Sequence, residues 1–181
     1  MQRVIAVPWS PEQYVAEEAH DLIVPESVCP NCATPTTLHV HGTYQRWFLT
    51  TLAVLLRLTI ARFLCPECRI TISYLPEFCL SYRALGPDSF AAFLDGHHAR
   101  KDVRHFVSHL KAYAAALLDF APVLIRTVGS GLGLAPPAHP RGVWPWLKEA
   151  GDSLAAVTRQ LVGTFRVGLF RRYQCHQPKV L

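Results

Sequence analysis

The chain has 181 residues and a mass of 20.3 kDa, and half of its residues are hydrophobic, which excludes wholesale disorder and leaves room for one ordinary domain or two small ones. Eighteen Lys and Arg against thirteen acids give a formal charge of +5 and a pI near 9.0, a balance that suits a polyanionic partner without requiring one. The longest apolar stretch, residues 112–125, contains Asp119 and Pro122 and falls short of the roughly 20 residues a spanning helix needs, so it predicts a buried helix and no membrane partner. The apolar stretch at residues 4–7 is too short for a signal peptide, and a cytoplasmic protein is expected.

Ser10-Pro11-Glu12-Gln13 predicts a helix start, with Ser10 as N-cap, Pro11 at the first helical position and Gln13 closing a capping box; the helix should run to about His20. Over residues 1–28, Arg3 stands against Glu12, Glu17, Glu18, Asp21 and Glu26, net −4, which places any polyanion-facing surface elsewhere. Residues 29–85 reverse the sign to +3, with Arg46, Arg57, Arg62, Arg69 and Arg83 against Glu67 and Glu77.

Two pairs, Cys29-Pro30-Asn31-Cys32 and Cys65-Pro66-Glu67-Cys68, carry the strongest signal in the chain. A two-residue gap lets both sulfurs of one tight turn aim at a single point, and two such turns complete the tetrahedral four-thiolate shell that Zn2+ prefers. The 32 residues between Cys32 and Cys65 accommodate two strands and a loop, which is a zinc ribbon. Disulfides would need an oxidising compartment that nothing here signals, and a redox Cys-x-x-Cys would need a βαβ pattern that is missing. Four protein thiolates leave no open position for water or substrate, so the metal is expected to be structural and the protein not an enzyme. With those ligands in place, His39 and His41 read as exposed strand residues able to touch a partner. Cys79 reads as a small buried hydrophobe and Cys175 as a tail residue.

Residues 37–49 and 52–64 are rich in β-branched and aromatic side chains, and Val54, Leu56, Leu58 and Ile60 alternate with Leu55, Arg57, Thr59 and Ala61 at strand period. Residues 70–75 add a third strand, which Pro76 ends because it cannot donate to the ladder. Such a thin core predicts that metal binding is coupled to folding. From Gly86 the pattern turns helical: a short helix at 87–94, a break at Gly96, then a longer helix from Lys101 or Asp102 to about Leu118. Arg100, Lys101, Arg104, Ser108 and Lys111 share one face of that helix, and Val103, Phe106, Leu110, Tyr113 and Leu117 the other. The pair is compatible with a helix-turn-helix whose second helix enters the major groove, and equally with a bundle helix whose solvated face is basic. The Gly- and Pro-rich residues 129–142 read as a linker, and 145–173 as a last helix with Lys148, Arg159 and Arg166 on one arc. The fold expected is α+β: a small antiparallel zinc ribbon followed by a mainly α-helical region. Its divisions are an N-terminal helix at 1–21, the ribbon at 22–85, helices at 86–128, a linker at 129–142 and a basic helix at 143–181.

The run Cys29-Pro30-Asn31-Cys32, His41-Gly42-Thr43-Tyr44-Gln45-Arg46, Ile60-Ala61-Arg62-Phe63-Leu64-Cys65-Pro66-Glu67-Cys68 and Thr71-Ile72-Ser73-Tyr74-Leu75-Pro76 resembles the N-terminal zinc ribbon of bacterial insertion-sequence transposases. It looks closest to short mobile-element proteins that carry this ribbon before a helical region. The resemblance implies a ribbon that binds DNA or orients DNA-binding helices, through His41, Tyr44, Arg46 and Arg62. Where that family has an Arg-Trp pair on its second helix, this chain has Arg104-His105-Phe106. The acids after the ribbon, Asp88, Asp95, Asp102, Asp119, Glu149 and Asp152, are scattered over helices and a linker, unlike the three carboxylates of a two-metal strand-transfer site. The expectation is a non-catalytic DNA-binding accessory, regulator or truncated relative. Arg46, Arg57, Arg62, Lys101, Arg104 and Lys111 would contact phosphates, and no small-molecule substrate is expected. The other reading is a zinc-stapled protein–protein adaptor or homodimer, which exposed apolar surface on residues 112–125 would favour.

Overall fold

The period-two alternation of residues 54–61 folds as a strand at the centre of a four-stranded sheet. A computed structural model describes residues 1–50, 54–97, 104–129 and 131–170, without the side chains of residues 104 and 105. The strands are β1 (Gln2–Ile5), β2 (His39–Leu49), β3 (Leu55–Leu64) and β4 (Thr71–Pro76), in the order β1-β4-β3-β2. β2 and β4 flank β3 in antiparallel register, with Tyr44 opposite Ile60, Trp47 opposite Arg57 and Arg62 opposite Ser73. These are the three antiparallel strands the pattern predicts, and Pro76 is the last residue of the third.

The fourth strand corrects an all-antiparallel ribbon. β1 joins β4 in parallel, Gln2 opposite Ser73, held by Ser73 N–H to Met1 C=O at 2.9 Å and Glu77 N–H to Ile5 C=O at 2.8 Å. Four residues show too little alternation to declare a strand, and the pairing partner lies far along the chain.

Both faces of the sheet are apolar. On one, α1 (Pro11–Ala16) seats Tyr14 in a cluster with Val4, Phe48, Leu58, Ile60 and Leu75. On the other, Leu38, Ala61, Phe63, Ile72 and Tyr74 surround the first cysteine of each pair. The capping box forms as expected: the Ser10 hydroxyl accepts from Gln13 N–H at 3.2 Å, and the Gln13 side chain accepts from Ser10 N–H at 3.0 Å. α1 stops at Ala16, short of His20; Glu18 takes a left-handed φ of 49° and a 3-10 turn, Ala19–Leu22, follows.

The helical region comprises α2 (Pro87–Leu94), α3 (Arg104–Val128), α4 (Val143–Glu149) and α5 (Leu154–Thr164). α3 runs past the expected end near Leu118 and carries Pro122 in its interior. Pro122 lies on the exposed side, where the carbonyl it leaves without an N–H partner can meet water. Leu110, Tyr113, Leu117, Ala121, Leu124 and Val128 are its buried stripe. The single helix expected over 145–173 is two helices, because the chain turns at Gly151 and Ser153 caps a new start, accepting from Ala156 N–H at 3.1 Å. α5 closes when Arg166 turns left-handed at φ 52° and Val167 N–H reaches back to Leu161 C=O at 3.1 Å, so Arg159 and Arg166 do not share a helix face. In the Gly- and Pro-rich stretch, Leu132 and Leu134 pack on the helical core, and a Cβ on Gly131 would overlap the Phe165 ring.

Three contacts tie sheet to helices. α5 lies along β1, with Arg159 ion-paired to Glu77 and Val162 in the cluster beneath the sheet. The Arg83 guanidinium sits between two rings, 4.7 Å from the Tyr113 centroid and 4.8 Å from that of Phe170. Leu49, Leu80 and Leu85 are buried with the α2–α5 side chains. Among the described residues no helix is long and apolar enough to cross a membrane.

Candidate metal centre and the groove behind it

Each Cys-Pro-x-Cys run folds as the same knuckle. Ala33 N–H donates to Cys29 C=O at 2.9 Å, and Arg69 N–H to Cys65 C=O at 3.0 Å. The residue after each second cysteine is left-handed, Ala33 at φ 59° and Arg69 at φ 55°, which swings the chain away and leaves both sulfurs on one side of the turn. The β3–β4 turn closes the second knuckle through Cys65 N–H to Ile70 C=O at 3.1 Å, and Cys29 N–H to Thr34 C=O at 3.0 Å closes the first.

These turns bring Cys29, Cys32, Cys65 and Cys68 together, all four sulfurs within 4.8 Å of one another. Cross-knuckle sulfur pairs stand at 3.8 Å for Cys29–Cys68 and 3.9 Å for Cys32–Cys65. A tetrahedron with Zn–S bonds of about 2.3 Å has edges of about 3.8 Å, which the two cross-knuckle pairs match, so the cluster is arranged for Zn2+. Four thiolates, the first of each pair buried and the second half-buried, fill a tetrahedral shell, as in a structural rather than a catalytic site. Amide N–H groups supply the compensating polarity: Asn31 donates from its backbone to Cys29 Sγ at 3.4 Å and from Nδ2 to Cys68 Sγ at 3.5 Å. Without metal, burial pushes the Cys29 thiol up to about 12, and hydrogen bonding from Thr34 holds Cys32 down to about 6. Zinc therefore displaces a proton from Cys29 when it binds. Cys79 is fully buried among apolar side chains away from the cluster, and burial pushes its thiol up to about 12, as expected for an inert hydrophobe. Cys175 lies outside the described residues.

The side chains expected at a nucleic-acid surface separate into three groups. Tyr44, Arg46 and Arg62 line one groove of about 550 Å³ on the sheet face opposite the cysteines. It follows the register row Gln2–Ser73–Arg62–Gly42 across all four strands and is walled by Tyr82, Arg83 and Ala84. Arg46 is committed there, donating from one guanidinium nitrogen to the carbonyls of Leu80, at 3.1 Å, and Arg83, so it holds the loop that walls the groove. Arg57, five residues before Arg62 on the same strand, is exposed and faces the other side, and His41 is exposed within the β2 irregularity between Val40 and Gly42. Arg57 lies over Trp47, 6.0 Å from its centroid. Lys111 is exposed on α3, Arg104 begins that helix with its side chain undescribed, and Lys101 lies outside the described residues. The pattern missed Trp47, whose ring lies on the Arg57 side of the sheet, and Tyr82, which walls the groove. Trp47 was legible as a large aromatic at the outward alternate of Phe48, whereas nothing in sequence marks Tyr82, at φ 61°.

Comparison with known families returns one finding. Residues 29–111 match the model of a family described as a domain of unknown function (DUF6431). The matched segment holds both knuckles, β2–β4, the groove residues Tyr44, Arg46 and Arg62, α2 and the start of α3. No curated protein and no solved structure matches the chain.

Proposed function

We propose that this chain is a zinc-dependent DNA-binding protein of mobile-element type, a non-catalytic accessory, regulator or truncated relative of the transposases whose ribbon it resembles. The observation that carries the reading is the groove behind the metal knuckle, whose lining includes Arg46, Arg62 and Arg83 and no acid. Arg62 precedes Cys65 by three residues and pairs with Ser73 just beyond Cys68, so the tetrathiolate sets where that cation stands. In this reading residues 22–85 dock on the backbone through Arg62 with Tyr44 beside it, Arg46 shapes the groove, and Arg57 stands on the opposite sheet face. Residues 86–128 supply a helix-turn-helix-like pair, α2 against α3 with Phe90 on Tyr113 at 5.9 Å, from which Lys101, Arg104 and Lys111 reach the DNA. Residues 143–181 add the basic C-terminal end.

The acids after the ribbon support a non-catalytic role. Asp95 is taken up by Trp144 Nε1 and Lys148 Nζ, each at 2.9 Å, and Asp88, Asp119, Glu149 and Asp152 do not converge with it into a group of metal ligands. The adaptor reading needs exposed apolar surface over residues 112–125. There Leu118, 42% exposed, is the one exposed large apolar side chain among the described residues. Cytoplasmic location belongs to the same proposal, since thiolates stay reduced there.

The test is fluorescence anisotropy of a labelled random duplex, titrated with zinc-loaded full chain at several salt concentrations and again after chelation. Each phosphate contacted should lower log affinity by about 0.9 per log unit of salt. Binding that is salt-steep and lost on chelation supports the reading. Absence of binding at low salt by folded, zinc-replete protein overturns it.

A further inference from the structure

The two knuckles share a backbone fold and differ at the third position of Cys-Pro-x-Cys, which is Asn31 in the first and Glu67 in the second. Glu67 is exposed. Asn31 is half-buried, and its two N–H groups serve different knuckles. The backbone N–H donates to Cys29 Sγ at 3.4 Å, inside its own turn, and Nδ2 crosses to Cys68 Sγ at 3.5 Å, a residue 37 positions along the chain.

Four thiolates around one divalent cation leave two negative charges, and the first cysteine of each pair is buried. N–H donors aimed at the sulfurs stabilise such charge, and a group that hydrogen-bonds a metal's ligands typically governs affinity by about 10- to 100-fold. The end of α5 brings a second source of positive charge to the same place. Val162, Gly163 and Arg166 line one cavity of about 370 Å³ with Cys29, Pro30 and Ala33 of the first knuckle. Gly163 permits that approach, since a Cβ there would stand only 3.0 Å from Arg3 Nη1. The acid in this cavity, Glu26, is taken up by Arg3, through Nε at 2.9 Å and Nη2 at 2.6 Å. Arg166 is exposed and left-handed at φ 52°, and its Nη1 stands 3.5 Å from the carbonyl that joins Asn31 to Cys32.

We propose that Asn31 is the cross-brace of the metal site: its side-chain amide ties Cys68 of the second knuckle to the first and sets how tightly Zn2+ is held, while Arg166 brings the charge at the end of α5 to bear on the same anionic cluster. Metal affinity is then a property of both halves of the chain. By reciprocity, a loaded site favours the seating of α5 against the knuckle. The brace needs the metal site alone and stands whether or not the chain binds DNA.

The experiment uses the full chain. Zn2+ affinity is measured by competition with a chelator of known affinity, and Co2+ serves as a coloured substitute whose thiolate-to-metal charge-transfer band reads the sulfurs directly. Spectra and circular dichroism are taken at metal saturation, where a weakened variant is still loaded and folded. Asn31→Ala should bind Zn2+ about 10- to 100-fold more weakly than wild type. Asn31→Asp keeps the size of the side chain and puts a carboxylate where the N–H was, so it should bind more weakly still. Both should move the charge-transfer band to lower energy, because a sulfur that loses an N–H donor gives up its electrons more readily. A side chain that merely fills space gives the opposite order, Asp near wild type and Ala weaker, with the band unmoved. That order, or an Asn31→Ala affinity within about twofold of wild type, overturns the brace. Arg166→Ala should weaken Zn2+ binding about two- to fivefold at low salt, with Arg166→Lys restoring part of the loss and the difference closing at high salt. Wild-type affinity in Arg166→Ala at low salt overturns the contribution of α5.

Discussion

Replacement of Cys65 by serine removes one of four thiolates from a site that holds two strands and a loop in register. Cys65 is 0% exposed, so no water can take the place of the sulfur, and the neutral hydroxyl is a poor ligand for the metal. Structural zinc sites bind with roughly 10–16 kcal/mol; one ligand in four carries about 2.5–4 kcal/mol, a weakening of about 60- to 700-fold in zinc affinity. Because the β3–β4 turn closes on Cys65 itself, with its N–H on Ile70 C=O and its C=O accepting from Arg69 N–H, that loss reaches the sheet. For a chain of this size it corresponds to a melting temperature lower by about 5–16 °C. The assay is zinc per chain by mass spectrometry after dialysis against a chelator of known affinity, with thermal unfolding followed by circular dichroism. Cys79→Ser is the control: an equally buried cysteine outside the cluster, whose loss should cost stability and leave zinc stoichiometry at one. A Cys65→Ser protein with wild-type zinc affinity and melting temperature would refute the account, as would equal zinc loss in Cys79→Ser.

Three further outcomes follow from the packing. Leu58→Ala, at a fully buried position on the central strand, should cost about 2–5 kcal/mol in urea unfolding, and a loss below 1 kcal/mol would mean the cluster under Tyr14 is not a true core. Arg83→Ala empties the slot between Tyr113 and Phe170 and should cost about 1–2 kcal/mol, most of it missing again in an Arg83→Ala/Tyr113→Leu/Phe170→Leu background; full additivity would dismiss the stacking. The Asp95 carboxyl is held below its usual range by hydrogen bonds from Lys148 and Trp144, so its contribution to stability is present above that range and is lost as pH falls through the lowered value. Asp95→Asn should therefore melt lower than wild type at neutral pH and converge with it in acid, and a gap that persists in acid would contradict this sign.

What could be read in advance divides by the distance over which each feature is determined. The metal ligands and β2–β4 are local statements: a two-residue spacing, an alternation, a proline that stops a strand. β1 exists only because β4 offers it an edge, and four residues cannot announce that. Gly151 and Ser153 did mark the break between α4 and α5, but the apolar arc running from Leu147 to Phe165 outweighed them in a pattern search. Arg46 shows the limit for sites. Its spacing with Tyr44 places it correctly on the groove face, yet its task is set by the carbonyls of a loop more than thirty residues away. Exposed cations such as Arg57 and Lys111 could be named from charge alone, because no distant loop carbonyl or acid claims them.

The parallel pairing of β1 has a consequence for how the protein is made. β1 is synthesised before both of its partners: its hydrogen-bonding edge stays open until residues 71–76 are made, and α5, which lies along it, comes only with residues 154–164. At translation rates of about 5–20 residues per second, the interval between those two events is on the order of 5–20 s. Both knuckles are complete at its start, so a nascent chain supplied with metal can close β2–β4 around zinc and wait. A nascent chain starved of metal would spend the same interval with an apolar sheet face and a bare strand edge, the state in which chains associate with one another.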